Sequence, residues 1–282
     1  MLLGYNTNGW AHHDLLDAVE ILAEIGYQSV AITIDHHALN PKSPVLAEQL
    51  FRLKELLQKW KLESVIETGA RYLLDPRRKH EPTLISPLPE GRKQRLQFYF
   101  HAVDCAATLG SRCVSIWSGP LPSGTPEELA WNWLLEGLRE LLEYAAAKNV
   151  QVAFEPEPGM WIDRTTGYQE LVTRLGRPDL WLTLDIGHLQ CQGELPIGQL
   201  LRQWQHALVN IHLEDMCRGR HEHLFFGQGE INFEEVFCAL KNIGFQGPVH
   251  VELSQHSAQA PVVASEAYRF LQDLLARVLG CR

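Results

Sequence analysis

The feature that most constrains this chain is an alternation that runs along nearly all of its 282 residues, in which short β-branched runs take turns with stretches of helical hydrophobic period. Eight such pairs are present. Strands are expected over residues 2–5, 29–34, 63–67, 113–117, 151–155, 182–185, 208–213 and 249–253. Each is followed by a segment long enough for a helix, and parallel strands need a crossover of that length where hairpins do not. The clearest helices are expected over 44–60, with Leu46, Leu50, Leu53, Leu57 and Trp60 on one stripe, and over 94–109, with Leu96, Phe100, Val103 and Ala107. Glu55 and Lys59 form an i,i+4 pair on an outer face.

One local pattern recurs where a helix hands over to the next strand: Glu-Ile-Gly26-Tyr-Gln-Ser-Val, Thr-Leu-Gly110-Ser-Arg-Cys-Val and Asn-Ile-Gly244-Phe-Gln-Gly-Pro-Val. Glycine just past a helix end takes the left-handed conformation that closes it, so these are short turns at one end of a repeated βα unit. The repeat favours a single (β/α)8 barrel over residues 1–282, a length that suits one barrel domain. A doubly wound sheet also alternates β and α, and periodicity alone leaves it open.

Composition bounds the function. With 34 acidic against 25 basic side chains the formal charge is −9, which argues against a nucleic-acid surface. Apolar residues make up 45%, enough for a large core, and no apolar run approaches the about 18 residues a membrane span requires. The opening MLLGYNTNGW has no basic segment followed by a long apolar one, so a cytoplasmic location is expected. The six cysteines, Cys105, Cys113, Cys191, Cys217, Cys238 and Cys281, form no C-x-x-C pair and read as reduced thiols.

Two connections are too long for simple turns: 68–90, with four prolines and Arg77-Arg78-Lys79, and 217–232, rich in Gly, His and Arg. Both follow a strand and precede a helix, which places them on the rim where barrel enzymes keep their sites. The Asp75-to-His80 run reads either as a site for a substrate phosphate or carboxylate or as a solvated loop.

The strongest functional signal is that four of the last five strands end in a metal-capable side chain: Glu155, Asp185, His212 and Glu252. Three acids at the mouth of an apolar barrel repel one another unless a cation neutralises them. Three carboxylates and one imidazole suit Mn, Mg or Co, with Zn also accommodated. Singly, each residue also reads as a hydrogen-bonded polar group at a strand terminus. His188, three residues after Asp185, reads equally as a group polarising a substrate oxygen, a ligand to a second metal or a helix cap. Glu157 reads as a substrate contact or a loop cap. Among Trp10, Trp117 and Trp161, Trp117 stands next to a strand end and is the one placed for stacking on a sugar ring.

In this order of residues the chain resembles the xylose-isomerase-like TIM-barrel superfamily: Glu155 on the fifth strand, Asp185-x-x-His188 on the sixth, His212 with a following Asp215 on the seventh, a His221-x-His223…Gly227-x-Gly229-x-Ile-Asn-Phe loop, and Glu252 on the eighth. The superfamily includes sugar-phosphate isomerases, ketose 3-epimerases, inosose dehydratases and the endonuclease IV group. The resemblance implies that Glu155, Asp185, His212 and Glu252 hold a divalent metal, that His188 and His223 contact substrate, and that Glu155 and Glu252 exchange the proton. It departs from the endonuclease branch, which has Asp-x-His in that loop and further strand-end histidines; strand four here ends Ser115-Ile116-Trp117.

The expected function is that of a divalent-metal-dependent isomerase or epimerase acting on a small sugar, inosose or sugar phosphate, by proton transfer beside a chelated carbonyl. An endonuclease IV-like phosphodiesterase is the alternative from another enzyme class, disfavoured by the charge. A non-catalytic accessory protein that keeps the site is the third.

Overall fold

The computed structural model describes residues 1–280; Cys281 lies outside the described residues. The strands β1 (Leu2–Asn6), β2 (Ser29–Thr33), β3 (Glu63–Glu67), β4 (Cys113–Ile116), β5 (Gln151–Phe154), β6 (Leu180–Asp185), β7 (Leu208–Leu213) and β10 (Pro248–Val251) form one parallel sheet. Its order, β1-β10-β7-β6-β5-β4-β3-β2, closes on itself, so the doubly wound alternative is excluded. The connecting helices are α1 (Leu15–Ile25), α2 (Leu46–Trp60), α3 (Pro89–Leu109), α4 (Glu127–Ala146), α5 (Thr165–Leu175), α6 (Ile186–Gln192), α7 (Ile197–Trp204), α8 (Phe233–Asn242) and α9 (Ala260–Gly280). β8 (Asp215–Cys217) and β9 (Arg220–Leu224) make a separate antiparallel pair.

All eight expected strands are present, with small differences at their ends. β4, β5 and β10 stop at Ile116, Phe154 and Val251, so Trp117, Glu155 and Glu252 are the first residues beyond the ladder rather than its last members. α3 begins at Pro89, five residues before the expected start, because proline suits the first helical turn, where its missing N–H is no loss. Gly26 and Gly110 close α1 and α3 at φ of +115° and +71°, the left-handed turns expected of them. The segment after β7, expected as an irregular loop, contains the β8–β9 pair. Among the described residues Cys105, Cys113, Cys191, Cys217 and Cys238 are free thiols.

The chain folds into two compact units, neither continuous in sequence. The first comprises residues 1–31, 56–63 and 182–282 and carries β1, β7 and β10; the second comprises 32–55 and 64–181 and carries β4 and β5.

In the first unit, parallel pairing sets Asp185 beside His212 and His212 beside His250; His250 lies beside Gly4, and Gly4 beside Ser29. Residues in register on neighbouring strands face the same side, so this row fixes which polar groups enter the interior. Gly4 has the role of an absence. A Cβ there would stand 2.3 Å from His250 Cδ2 and 2.9 Å from the Ser29 carbonyl oxygen, so only glycine lets the imidazole cross β1. Gly4→Ala is expected to cost about 1–3 kcal/mol, as overpacked core positions do. Urea denaturation should show a lower midpoint at unchanged slope, and an unchanged midpoint would refute the steric reading.

Candidate active site

Asp185 ends β6 and also caps α6: its Oδ1 accepts the His188 backbone N–H at 2.8 Å. Its Oδ2 is buried and accepts from no N–H or hydroxyl among the described residues, the Glu214 carboxyl being its hydrogen-bonding neighbour. His188 Nε2 lies 3.5 Å from that oxygen and His212 Nδ1 lies 3.9 Å from it. His212 Nδ1 is also 2.9 Å from Glu252 Oε2. Two side chains from the β1 end fix Glu252: Asn8 donates to Oε1 at 2.7 Å and Asn6 to Oε2 at 3.3 Å. Ligand atoms of Asp185, His212 and Glu252 lie within 4.8 Å of one another. That spread suits donors around one ion at about 2.0–2.4 Å each. The Asp185 oxygen that no N–H or hydroxyl serves, the buried carboxylates and the mixed O,N donor set together fit a divalent cation.

The electrostatics are those of charges forced into a dry place. Burial works against ionisation of Glu252, yet the adjoining His212 ring, by charge and hydrogen bond, holds its carboxyl well below the usual range. Burial likewise opposes charge on Asp185, and His188 and Glu214 outweigh it. His188 is lowered to about 4, chiefly by burial, so its ring is neutral near pH 7.

Glu214, which the sequence pattern did not single out, is fully buried, and its hydrogen-bonding neighbours are the Asp185 carboxylate and the His223 ring. Burial first, and Asp185 second, push its carboxyl well above the usual range. Its place is kept by Gly187, where a Cβ would stand 1.9 Å from Glu214 Oε1. His223, the loop histidine expected to face substrate, is on β9 with Nδ1 3.8 Å from Glu214 Oε2. His221, from the same loop motif, has its Nε2 3.1 Å from His188 Nε2, and His188, His221 and His223 form a second close group. Asp215 shapes the following loop by accepting the backbone N–H groups of Met216, Gly227 and Ile231.

In the second unit, Glu155 follows β5, buried, its N–H donating to the Ile116 carbonyl at 2.8 Å. Glu67, at the end of β3 and not anticipated, brings its carboxylate within 4.8 Å of that of Glu155. Glu157 closes a turn through its backbone, its carbonyl accepting from Met160 N–H and its N–H donating to the Ile162 carbonyl. Trp117 is buried; the Arg95 guanidinium lies 5.0 Å from its ring centroid and His80 meets it edge-on. Trp10 is buried against Tyr5 and His13, and Trp161 packs on Trp131. In the basic run, Asp75 pairs with Arg78 at 2.8 Å and accepts the Arg77 N–H, which favours the solvated-loop reading.

The 68–88 connection is held by Arg95, a fully buried cation on α3 that donates to the carbonyls of Pro82, Thr68 and His80. Removing it orphans three acceptors at about 1–3 kcal/mol each. Arg95→Met is therefore expected to lose at least about 3 kcal/mol, read as a lower thermal midpoint with faster proteolysis within 68–88. In the same loop His80 gives its Nδ1 to the Gly69 carbonyl, and burial lowers it to about 4. Because the folded value lies below the ordinary 6.5, the unfolded chain takes up the proton first. His80 thus contributes stability above about pH 6.5 that is lost as pH falls toward about 4. His80→Gln should flatten the stability profile across that window in denaturant titrations.

The family model for the xylose isomerase-like TIM barrel matches residues 19–274. The chain belongs to that family. An uncharacterised protein of Methanocaldococcus jannaschii is 25% identical over 264 residues, 89% of this chain and 83% of that protein. The inosose dehydratase of Clostridium botulinum (strain Alaska E43) is 27% identical over 145 residues, 45% of this chain and 48% of the enzyme, so the match spans about half of that relative's length. Among solved structures, a D-tagatose 3-epimerase-like protein superposes with a TM-score of 0.81 at 21% identity, covering 99% of this chain and 98% of that one, a likeness of fold. No helix among the described residues is long and apolar enough to cross a membrane.

Proposed function

We propose that the chain, working as one domain over residues 1–282, is a divalent-metal-dependent isomerase or epimerase of a small sugar, inosose or sugar phosphate. The carrying observation is the Asp185–His212–Glu252 cluster, in which Asp185 Oδ2 accepts from no N–H or hydroxyl among the described residues. In this reading those three residues hold the ion, and Glu155, from the family's strand-five position, completes the set. When bound, the ion polarises a substrate carbonyl and stabilises the negative charge that develops on its oxygen.

The chain's own groups do the rest. A base must be ionised before it can take a proton, and Glu252 is ionised and is oriented by Asn6 and Asn8; moving His212 from Glu252 to the ion would restore basicity that the His212 contact takes away. Glu155 is the second carboxylate, so one residue removes the proton beside the carbonyl and the other returns it. His188, neutral through burial, can hydrogen-bond a developing oxyanion without repelling a neighbouring cation. Trp117 and the clasped 68–88 connection exclude water in this reading. The −9 charge continues to disfavour a phosphodiesterase.

Incubating the protein with Mn²⁺ and a panel of ketoses, inososes and their phosphates in D₂O should place deuterium on the carbon next to the carbonyl of the true substrate. Glu155→Gln and Glu252→Gln should each slow exchange by at least about 10²-fold, with metal content measured alongside. Loss of water from an inosose, seen as new enone absorbance, would assign the same proton abstraction to a dehydratase. Exchange that persists in both metal-loaded variants would overturn the two-carboxylate mechanism. Metal stoichiometry unchanged in the Glu155→Gln/Asp185→Asn double variant would overturn the ligand assignment.

A further inference from the structure

Beneath the candidate site, a line of polar side chains crosses the apolar interior of the first unit. Ser29 Oγ lies 2.9 Å from His250 Nε2, His250 Nδ1 lies 2.8 Å from Asn210 Oδ1, and Asn210 Nδ2 lies 3.2 Å from His212 Nε2. The line ends where His212 Nδ1 meets Glu252 Oε2 at 2.9 Å. Ser29, Asn210 and His250 are fully buried and His212 is almost so. Burying such groups costs free energy, and Gly4 is spent on admitting His250 alone. The proposed chemistry assigns no role to Ser29, Asn210 or His250.

Donor and acceptor rules allow this line two self-consistent states when each imidazole carries one proton. With the Asn210 amide as it is placed, the consistent assignment has His212 Nδ1–H donating to Glu252, Asn210 Nδ2–H to His212 Nε2, His250 Nδ1–H to Asn210 Oδ1, and the Ser29 hydroxyl to His250 Nε2. A cation on His212 needs a bare Nδ1. The ring proton must then sit on Nε2 and find an acceptor, which requires the Asn210 amide to turn its oxygen toward His212. Its NH₂ then donates to His250 Nδ1, and His250 Nε2–H donates to Ser29 Oγ. Thr183 Oγ1, 3.4 Å from Asn210 Nδ2, is a hydroxyl that donates or accepts and so serves either state. Each ring loses one N–H proton and gains another by exchange with water, so the number of protons is unchanged.

We propose that Asn210 and His250 are positioning residues forming a buried tautomer relay, which sets the nitrogen that His212 presents and reports metal loading to a ring that touches no metal. The inference rests on the reading that His212 binds the cation. Hydrogen-bond partners behind a ligating histidine fix its tautomer, and losing one typically weakens metal binding about 10–100-fold.

The test is long-range ¹H–¹⁵N correlation on the full chain labelled with ¹⁵N-histidine, before and after one equivalent of Zn²⁺, with signals assigned from His212→Gln and His250→Gln. His250 is expected to carry its proton on Nδ1 without metal and on Nε2 with it. A His250 tautomer that stays the same while the His212 signal reports binding overturns the relay. Calorimetry with Mn²⁺ supplies a second readout: Asn210→Leu, which neither accepts nor donates, should bind at least about 10-fold more weakly. Asn210→Asp, which accepts from both rings, should bind at least as tightly as the natural chain. Equal weakening by Asp and Leu, or Leu binding within threefold of the natural chain, also refutes the relay. Should the natural chain bind no Mn²⁺, or Asp185→Asn bind it undiminished, the metal reading itself fails, an outcome distinct from failure of the relay alone.

Discussion

Everything at the mouth of this molecule depends on carboxylates placed where apolar strands end. Asp185 is almost fully buried, and its Oδ2 accepts from no N–H or hydroxyl among the described residues. A charge in that position is costly unless something positive approaches it, and the protein's own means are the Glu214 carboxyl, kept protonated beside it, and two imidazoles, His188 and His212, neither closer than 3.5 Å. Glu252 is better served, with one imidazole at 2.9 Å and two amide donors. The contrast between the two acids locates the deficit. Glu252 is satisfied in place, whereas Asp185 is held rigidly by its helix-capping oxygen with the other left to a neighbouring carboxyl, which is the arrangement that a ligand cation would complete.

The same constraint explains why so much of the site was legible in the sequence and where legibility stopped. Acids after apolar runs stand out because nothing in a strand's propensity asks for them, so Glu155, Asp185 and Glu252 were singled out, together with His212, and the fold places each of them at or next to the end of its strand. Asn210 and His250 were readable in principle, since each stands two residues before a site residue and period-two alternation sends both members of such a pair to one face. They passed as ordinary strand residues because the pattern does not say which face is the interior. Glu214 continues the period-two run of Asn210 and His212 but stands one residue past β7, next to the more familiar His-x-x-Asp215 spacing, and its burial depends on Gly187, a long-range fit that no local pattern announces. Glu67 ends a short strand that begins and ends in glutamate, so charge at its terminus carried no contrast. The β8–β9 pair escaped for a related reason: Arg-His-Glu-His-Leu is polar on both faces and reads as loop.

The barrel was more legible than the site because alternation and helix-closing glycines repeat eight and three times over, while the site uses each residue once. Strand ends were the part that moved. Trp117, Glu155 and Glu252 each sit just past the last paired residue, where side chains leave the regular pleat and can be aimed by loops. For Trp117 that aim is set by Arg95, whose guanidinium packs against the ring while its N–H groups hold the carbonyls of the 68–88 connection. A buried cation is tolerable here because three carbonyl dipoles and an aromatic face replace water around it, with the Glu81 carboxylate adding attraction.

The row of polar groups from Ser29 to His212 bears on register as well as on tautomer. Shifting β10 by one residue against β1 would turn His250 outward and present Val249 or Val251 to the gap at Gly4, leaving Ser29 and Asn210 buried without their common partner. Short strands such as β10, with four residues, have little pairing of their own to resist such a slip. An apolar row would pack almost equally well in either register, whereas a hydrogen-bonded row has one register in which its members meet. The residues that would tune His212 are therefore also those that hold Glu252 at the height where it meets His212, so that the alignment of the strand and the chemistry of the site follow from one set of buried bonds.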